Sequence, residues 1–290
     1  MQINHHHEIV LLLPFLLLMG GCQTLERLAV RSTQSLLHSQ YQSFLSEEDP
    51  ILAREAAAGN VKLAEGLLLK DPKNPSLQIL VSQSFFSYAF GYVEEEDEAR
   101  ASRLYLRGLK AGSGSIGGEA AFFEMNSDSF SKQSDRQISL YLENYFWSTL
   151  NFACWVNLNK SDLKALNNRS KIESVGKTII KTNEAYYYGG GHLLLGLYNA
   201  IQPKTLGGNP ERSKEHFEKC LQIHSRQFLI ALYLYARYYA VAVQDRQLFQ
   251  TLLKEIEVFD AALFPEQRLS NLIAKEKAKA LLQKEEELFI

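Results

Sequence analysis

The chain has 290 residues, with 31 Lys and Arg against 33 Asp and Glu and a formal net charge of −2. Binding a phosphate backbone requires a basic face, and no Lys or Arg cluster here would build one, so no nucleic-acid partner is expected. Hydrophobic residues at 46% and aromatics at 11% suffice for one large core or a continuous helical solenoid.

In chain order, the first signal is the apolar run Ile9 to Met19, too short to span a bilayer and the right length for the hydrophobic region of a signal peptide. It leads into Met19-Gly20-Gly21-Cys22, a lipobox-like site where small residues admit the peptidase and the Cys22 thiol receives diacylglycerol. Two features depart from the usual pattern: Met19 stands where Leu is common, and no Lys or Arg precedes Arg27. The alternative is a core helix with a chance cysteine. Residues 1–21 thus read as a lipoprotein signal peptide and 22–48 as a lipid-anchored tether that becomes helical. An acyl chain contributes on the order of 0.8 kcal/mol per buried methylene, which anchors the chain to a bilayer without spanning it. Gln23 after the cysteine favours the outer membrane, facing the periplasm.

Residues 49–288 read as one all-helical domain. Asp49-Pro50 is a helix start, and Leu52, Ala56, Leu63, Leu67 and Leu68 make a helix, or a pair broken near Gly59-Asn60, that ends at Asp71-Pro72. Asn74-Pro75 starts another, running to Tyr92. The acidic run Glu94 to Glu98 reads as a solvated turn into Ala99 to Leu109. Gly112 to Asp135 reads as a loop or short helix projecting from the bundle around Phe122-Phe123, placed to cap a cavity. Gln137 to Leu158 is apolar almost all round, hence buried or lining a greasy surface. Asp162 to Lys181 returns as its amphipathic partner.

Tyr187, Leu194, Leu195 and Tyr198 recur at helical spacing, as do Ser213, Phe217, Cys220 and Leu221 after Asn209-Pro210. The connection between these helices holds Pro203, Leu206 and the Gly207-Gly208 pair, and is longer than a helical-hairpin repeat needs. Ser87-x-x-Phe90 with Ala99 overlays Gly196-x-x-Asn199 with Ser213 and Phe217, and Ala236-x-x-Tyr239 with Leu248 and Leu252. A small residue where helices cross, an aromatic or polar one a turn on, and an apolar pair on the partner is tetratricopeptide packing logic. The expected fold is all-α: degenerate tetratricopeptide-like hairpins, about ten or more helices, forming a compact solenoid. Cys154 and Cys220 sit in apolar helical patterns and read as free thiols.

Catalytic motifs are missing: there is no G-x-S-x-G elbow, P-loop, HExxH, C-x-x-C or calcium loop, and no metal or cofactor is expected. His192, His216 and His224 read as structural residues isolated from one another. Tyr186, Tyr187 and Tyr188 cannot all face one core on a helix, so they form either an aromatic helix start or a cavity wall. Gly189, Gly190, Gly191 and Gly196 exceed what packing asks, and allow backbone or ligand to approach closely. Arg237, among Tyr233, Tyr235, Tyr238 and Tyr239, needs either a buried carboxylate or a carboxylate ligand.

From about Leu52 to Leu282 the chain resembles the T component of TRAP transporters, the TatT family of periplasmic lipoproteins. The likeness rests on Glu184-Ala-Tyr-Tyr-Tyr-Gly-Gly-Gly-His192 followed by LLLGLY, on Leu206-Gly-Gly-Asn-Pro210 followed by ERSKEHFEKCL, and on Phe228 to Asp245. The resemblance implies a non-catalytic helical-repeat lipoprotein, a homotrimer with clefts through its protomers, that docks the solute-binding P subunit. It also implies handover of a small hydrophobic carboxylate. Tyr186 to Gly191, His192, Pro203, Leu206 to Gly208 and Arg237 are the candidate cleft or docking residues. A general scaffold lipoprotein for envelope assembly is the alternative.

Overall fold

Residues 34–201 and 208–289 are described by the computed structural model. Cys22, the expected signal peptide, Pro203, Leu206 and Gly207 lie outside them. The described residues are all-α, with no strand, and none of their helices is long and apolar enough to cross a membrane.

The asparagine and aspartate caps set the helix starts. After α1 (Gln34–Leu45), Asp49 accepts hydrogen bonds from the Ile51 and Leu52 amides and opens α2 (Pro50–Lys70). Asn74 does the same for α3 (Pro75–Tyr88), and Asp97 for α4 (Glu98–Gly112). Each supplies an acceptor to amides that have no partner within the helix, typically worth about 1 kcal/mol. α2 runs unbroken through Gly59, which is exposed and has open space where a Cβ would stand, so the expected break near Gly59-Asn60 is absent.

Gly112 to Asp135 does not project as expected. Ser113–Ile116 forms a 3-10 turn, α5 spans Gly118–Phe123, and α6 already begins at Ser127. Ile116, Phe122 and Phe130 are completely buried, and Lys171 donates to the Phe122 carbonyl at 2.7 Å. The apolar residues of this segment belong to the core and pull it in. α6 (Ser127–Leu158) kinks at Tyr141, and from Asn144 to Ala153 every residue is buried, as its all-round apolar pattern requires.

α7 (Leu163–Asn168) and α8 (Ser170–Asn183) return along α6. Then come α9 (Tyr186–Ile201) and α10 (Pro210–Ile223), the latter capped by Asn209. The Asn209 amide donates to the Asn199 carbonyl at 3.2 Å, and Ser213 Oγ to the Gly196 carbonyl at 2.8 Å. A Cβ on Gly196 would stand 3.0 Å from the Phe217 ring, so the small residue does sit where the helices cross. α11 (Leu229–Leu234), α12 (Arg246–Val258), α13 (Arg268–Leu282) and α14 (Glu285–Leu288) complete the chain.

Two π-helical segments stand at matching places: Ala89–Val93 after α3, and Tyr235–Ala240 after α11. Helices pack as successive neighbours, α3 on α4, α4 on α6, α6 on α8, α8 on α9 and α9 on α10, until α13 reaches back to α1 and α2. Arg268 of α13 meets Glu48 at 2.7 Å. The two ends of the helical path therefore close on each other; one large core runs through the middle, and a small satellite cluster forms around Leu37 and Leu77.

Candidate functional site

The acidic run Glu94 to Glu98 is a turn whose last four residues are exposed, as its composition suggests, but Glu94 is buried and Glu95 is paired with cations. It follows the π segment Ala89–Val93, which widens one helical turn and redirects the residues after it. Glu94 is buried, and its carboxylate accepts a hydrogen bond from Tyr105 Oη. Glu95 Oε1 accepts from Lys277 Nζ at 3.2 Å, Arg237 Nη1 at 3.2 Å and Tyr233 Oη at 3.3 Å. Arg237 also lies 3.5 Å from Glu94 Oε1 and donates to Tyr233 Oη at 2.8 Å. Of the two partners open to Arg237, the structure supplies the carboxylates.

Electrostatics follow burial. The Lys277 ammonium is 5% exposed, and desolvation lowers its pKa although Glu95 and Glu94 act to raise it. Burial alone would raise the Glu95 pKa, but Lys277 and Arg237 hold it below the ordinary carboxylate value. Tyr238 and the Cys154 thiol are both pushed up by burial and stay protonated. Cys154 and Cys220 are both free thiols.

Arg237, Lys277, Glu95 and Tyr233 line a cleft of about 830 Å³. Through Asn157, Ile201 and Tyr238 it adjoins an apolar cavity of about 60 Å³, walled also by Phe86, Leu150 and Leu234. A second apolar cavity of about 50 Å³ shares Phe86, Phe90, Leu150 and Leu234 with the first. It shares Leu45 and Tyr187 with a groove of about 620 Å³ on which Tyr186, Tyr187 and Tyr188 open, together with Tyr41, Glu143 and Gln267. Four spaces thus share walls in succession: a charged cleft, two small apolar cavities and a tyrosine-lined groove.

The three tyrosines are not on a regular helix. Tyr187, Tyr188 and Gly189 all have left-handed backbones, with φ of 44°, 58° and 83°. For each tyrosine this costs about 1–2 kcal/mol, and dense aromatic packing offsets it. The Tyr187 ring lies 4.7 Å from Trp147 and 5.8 Å from Phe228, while Tyr188 lies 5.2 Å from Phe264. The expected helical register of Tyr187 with Leu194 is therefore lost. Of the two alternatives, the aromatic helix start is not what forms: the tyrosines pack on aromatic neighbours from a left-handed turn, and they also border the groove.

The glycines that follow serve the protein's own backbone. A Cβ on Gly190 would stand 2.5 Å from Phe146, and one on Gly191 would stand 3.0 Å from the Gly176 carbonyl of α8. Close helix crossing accounts for them, contrary to the expectation that they exceed packing needs. Gly189, Gly190, Gly191, His192 and the half-buried Gly208 line none of these four spaces.

His192 and His216 are not isolated. Their Nδ1 atoms are 2.9 Å apart, and His192 Nε2 meets Glu184 Oε1 at 3.0 Å. One ring must donate to the other, which ties α9 to α10 on the far side of their connection. Burial, then the neighbouring His192, lowers the His216 pKa. Among the described residues no group of three His, Cys, Asp or Glu is placed to hold a metal ion.

Sequence reasoning missed Glu94, Glu95, Lys277, Asn157 and Phe90. The only local signal was the surplus of cation and acid inside apolar patterns, and the pairing joins residues as far apart as Glu95 and Lys277. A family model described as TRAP transporter T-component matches residues 46–289. No curated protein matches the chain.

Proposed function

The chain belongs to the TRAP transporter T-component family, and from that premise we propose that it is a non-catalytic lipoprotein held to the outer membrane, on its periplasmic side, by acylated Cys22. In this reading it docks the periplasmic solute-binding P subunit, as a homotrimer, and passes a small hydrophobic carboxylate through each protomer. The row of four spaces supports the reading: two small apolar cavities share walls with a cleft bearing Arg237 and Lys277 on one side and with a groove bearing Tyr186, Tyr187 and Tyr188 on the other. Ligand sites commonly combine apolar walls with a few convergent polar groups, and that is the composition of this path.

The tyrosine groove is the surface proposed for the P subunit, because aromatic side chains supply contact area at small entropic cost. No energy source is needed for such a handover. The test is to crosslink cells, solubilise membranes in detergent, purify complexes through this protein and identify them by mass spectrometry. A periplasmic solute-binding protein in roughly equal number is expected. Recovery of envelope-assembly proteins alone, or of this chain alone, contradicts the transport role and returns the chain to a general scaffold.

A further inference from the structure

Glu98, Lys160, Asp162 and Lys284 also line the charged cleft, but four charged groups, Glu94, Glu95, Arg237 and Lys277, form one cluster there, and they are not equally free to leave it. Side-chain exposure is 4% for Glu94, 5% for Lys277 and 23% for Arg237, but 38% for Glu95. Glu94 is further fixed by Tyr105. Moving Lys277 or Glu94 would break buried charge pairing, whereas Glu95 can turn into the cleft and be solvated there. Its departure would leave two cations facing one anion, a deficit of one negative charge beside a partly dry wall.

One oxygen of Glu95 collects three donors, from Lys277, Arg237 and Tyr233. That is a carboxylate-binding arrangement whose present occupant is part of the chain. Apolar surface adjoins it directly: Lys277 Nζ lies 4.5 Å from the centroid of the Phe90 ring, and Phe90 walls both apolar cavities. At the throat, Asn157 borders both the cleft and the first cavity, and its Oδ1 is buried with no hydrogen-bond partner.

We propose that Lys277, Arg237 and Tyr233 form the seat for one ligand carboxylate, that Glu95 occupies this seat in the empty protein, and that the ligand is a monocarboxylate with a short apolar tail. This rests on the reading of the path as a ligand passage. The seat takes one carboxylate, and the mainly apolar walls beyond it offer no matching seat for a second, which selects a monocarboxylate. The small apolar cavities beyond Phe90, about 60 and 50 Å³, select a short aliphatic or single-ring tail. Glu95 lowers affinity by competing for the seat, so that ligand is held loosely enough to be passed on.

Hexanoate is a suitable probe, with hexylamine and hexanol as controls for charge and tail. Binding is measured by calorimetry on the full chain in detergent, for the wild type, Glu95→Ala, and Glu95→Ala combined with Lys277→Met. Glu95→Ala is expected to bind hexanoate at least tenfold more tightly than wild type, and the double variant to lose that gain. Without ligand, Glu95→Ala should melt at lower temperature, and hexanoate should restore it; Glu95→Gln serves the same comparison if the alanine variant does not fold. Equal hexanoate affinity in wild type and both Glu95 variants, or hexylamine binding as tightly as hexanoate, overturns the seat. Crosslinked recovery of the P subunit by the wild type is an independent readout: if it persists while the hexanoate gain is absent, the seat is wrong and the transport role stands.

Discussion

Gly190 is buried against the Phe146 ring, leaving no room for a methyl group without moving an aromatic side chain that also packs on Trp147, Tyr186 and Tyr187. Gly190→Ala should cost about 1–3 kcal/mol by overpacking, read as a lower denaturation midpoint. Gly59→Ala is the matched control, because its Cβ would meet nothing and the residue lies in an exposed helix interior; it should gain roughly 0.5–1 kcal/mol. His224 makes a second test. Burial pushes its pKa down to about 4, and its Nδ1 accepts from the Phe228 amide at 3.1 Å. The unfolded chain takes up the proton more readily than the folded one, so the stability it preserves is complete above the ordinary histidine pKa and is lost as pH falls toward 4. Unfolding titrations at about pH 7.5 and about pH 5 should differ by on the order of 2 kcal/mol from this group, and His224→Asn should flatten the acid slope. The glycine cluster was visible in the sequence, but what fills the space around it comes from α6 and α8, which no local pattern discloses.

Helix starts were legible because the caps are local chemistry: Asp49, Asn74 and Asn209 each precede a proline whose missing amide suits the first turn. The π segments and the left-handed Tyr187-Tyr188-Gly189 turn were not, since tertiary packing imposes them against propensity. A π segment carries one residue more than an α-helical turn. Deleting Gly91 should therefore convert Ala89–Val93 to α-helix and rotate Glu94 and Glu95 by about 100° relative to Phe86. Both the Tyr105 and the Lys277 contacts would be lost, so the expected outcome is a lower melting temperature together with tighter hexanoate binding, because Glu95 no longer fills the seat. Unchanged binding in a folded deletion variant would show that the π segment does not position the acidic pair.

Closure of the helical path is what makes a site out of distant residues. Arg237 and Lys277 stand 142 and 182 positions from Glu95; Lys277 comes from α13, which folds back onto α1 and α2, and Arg237 from the π segment Tyr235–Ala240. The all-α class, the hairpin order and the need of Arg237 for a carboxylate could be read from the sequence. The identity of that carboxylate could not, because an acidic run looks the same whether it faces water or a cation 142 residues away. Membership of the T-component family over residues 46–289 is the premise from which a solute-binding partner is proposed, and the most direct test of that partner is the mass of the complex. Purified full chain in detergent, mixed with the P subunit of the same transporter and weighed by native mass spectrometry, should give assemblies with one P subunit per chain. A chain whose mass is unchanged by excess P subunit, with or without ligand, would contradict the account.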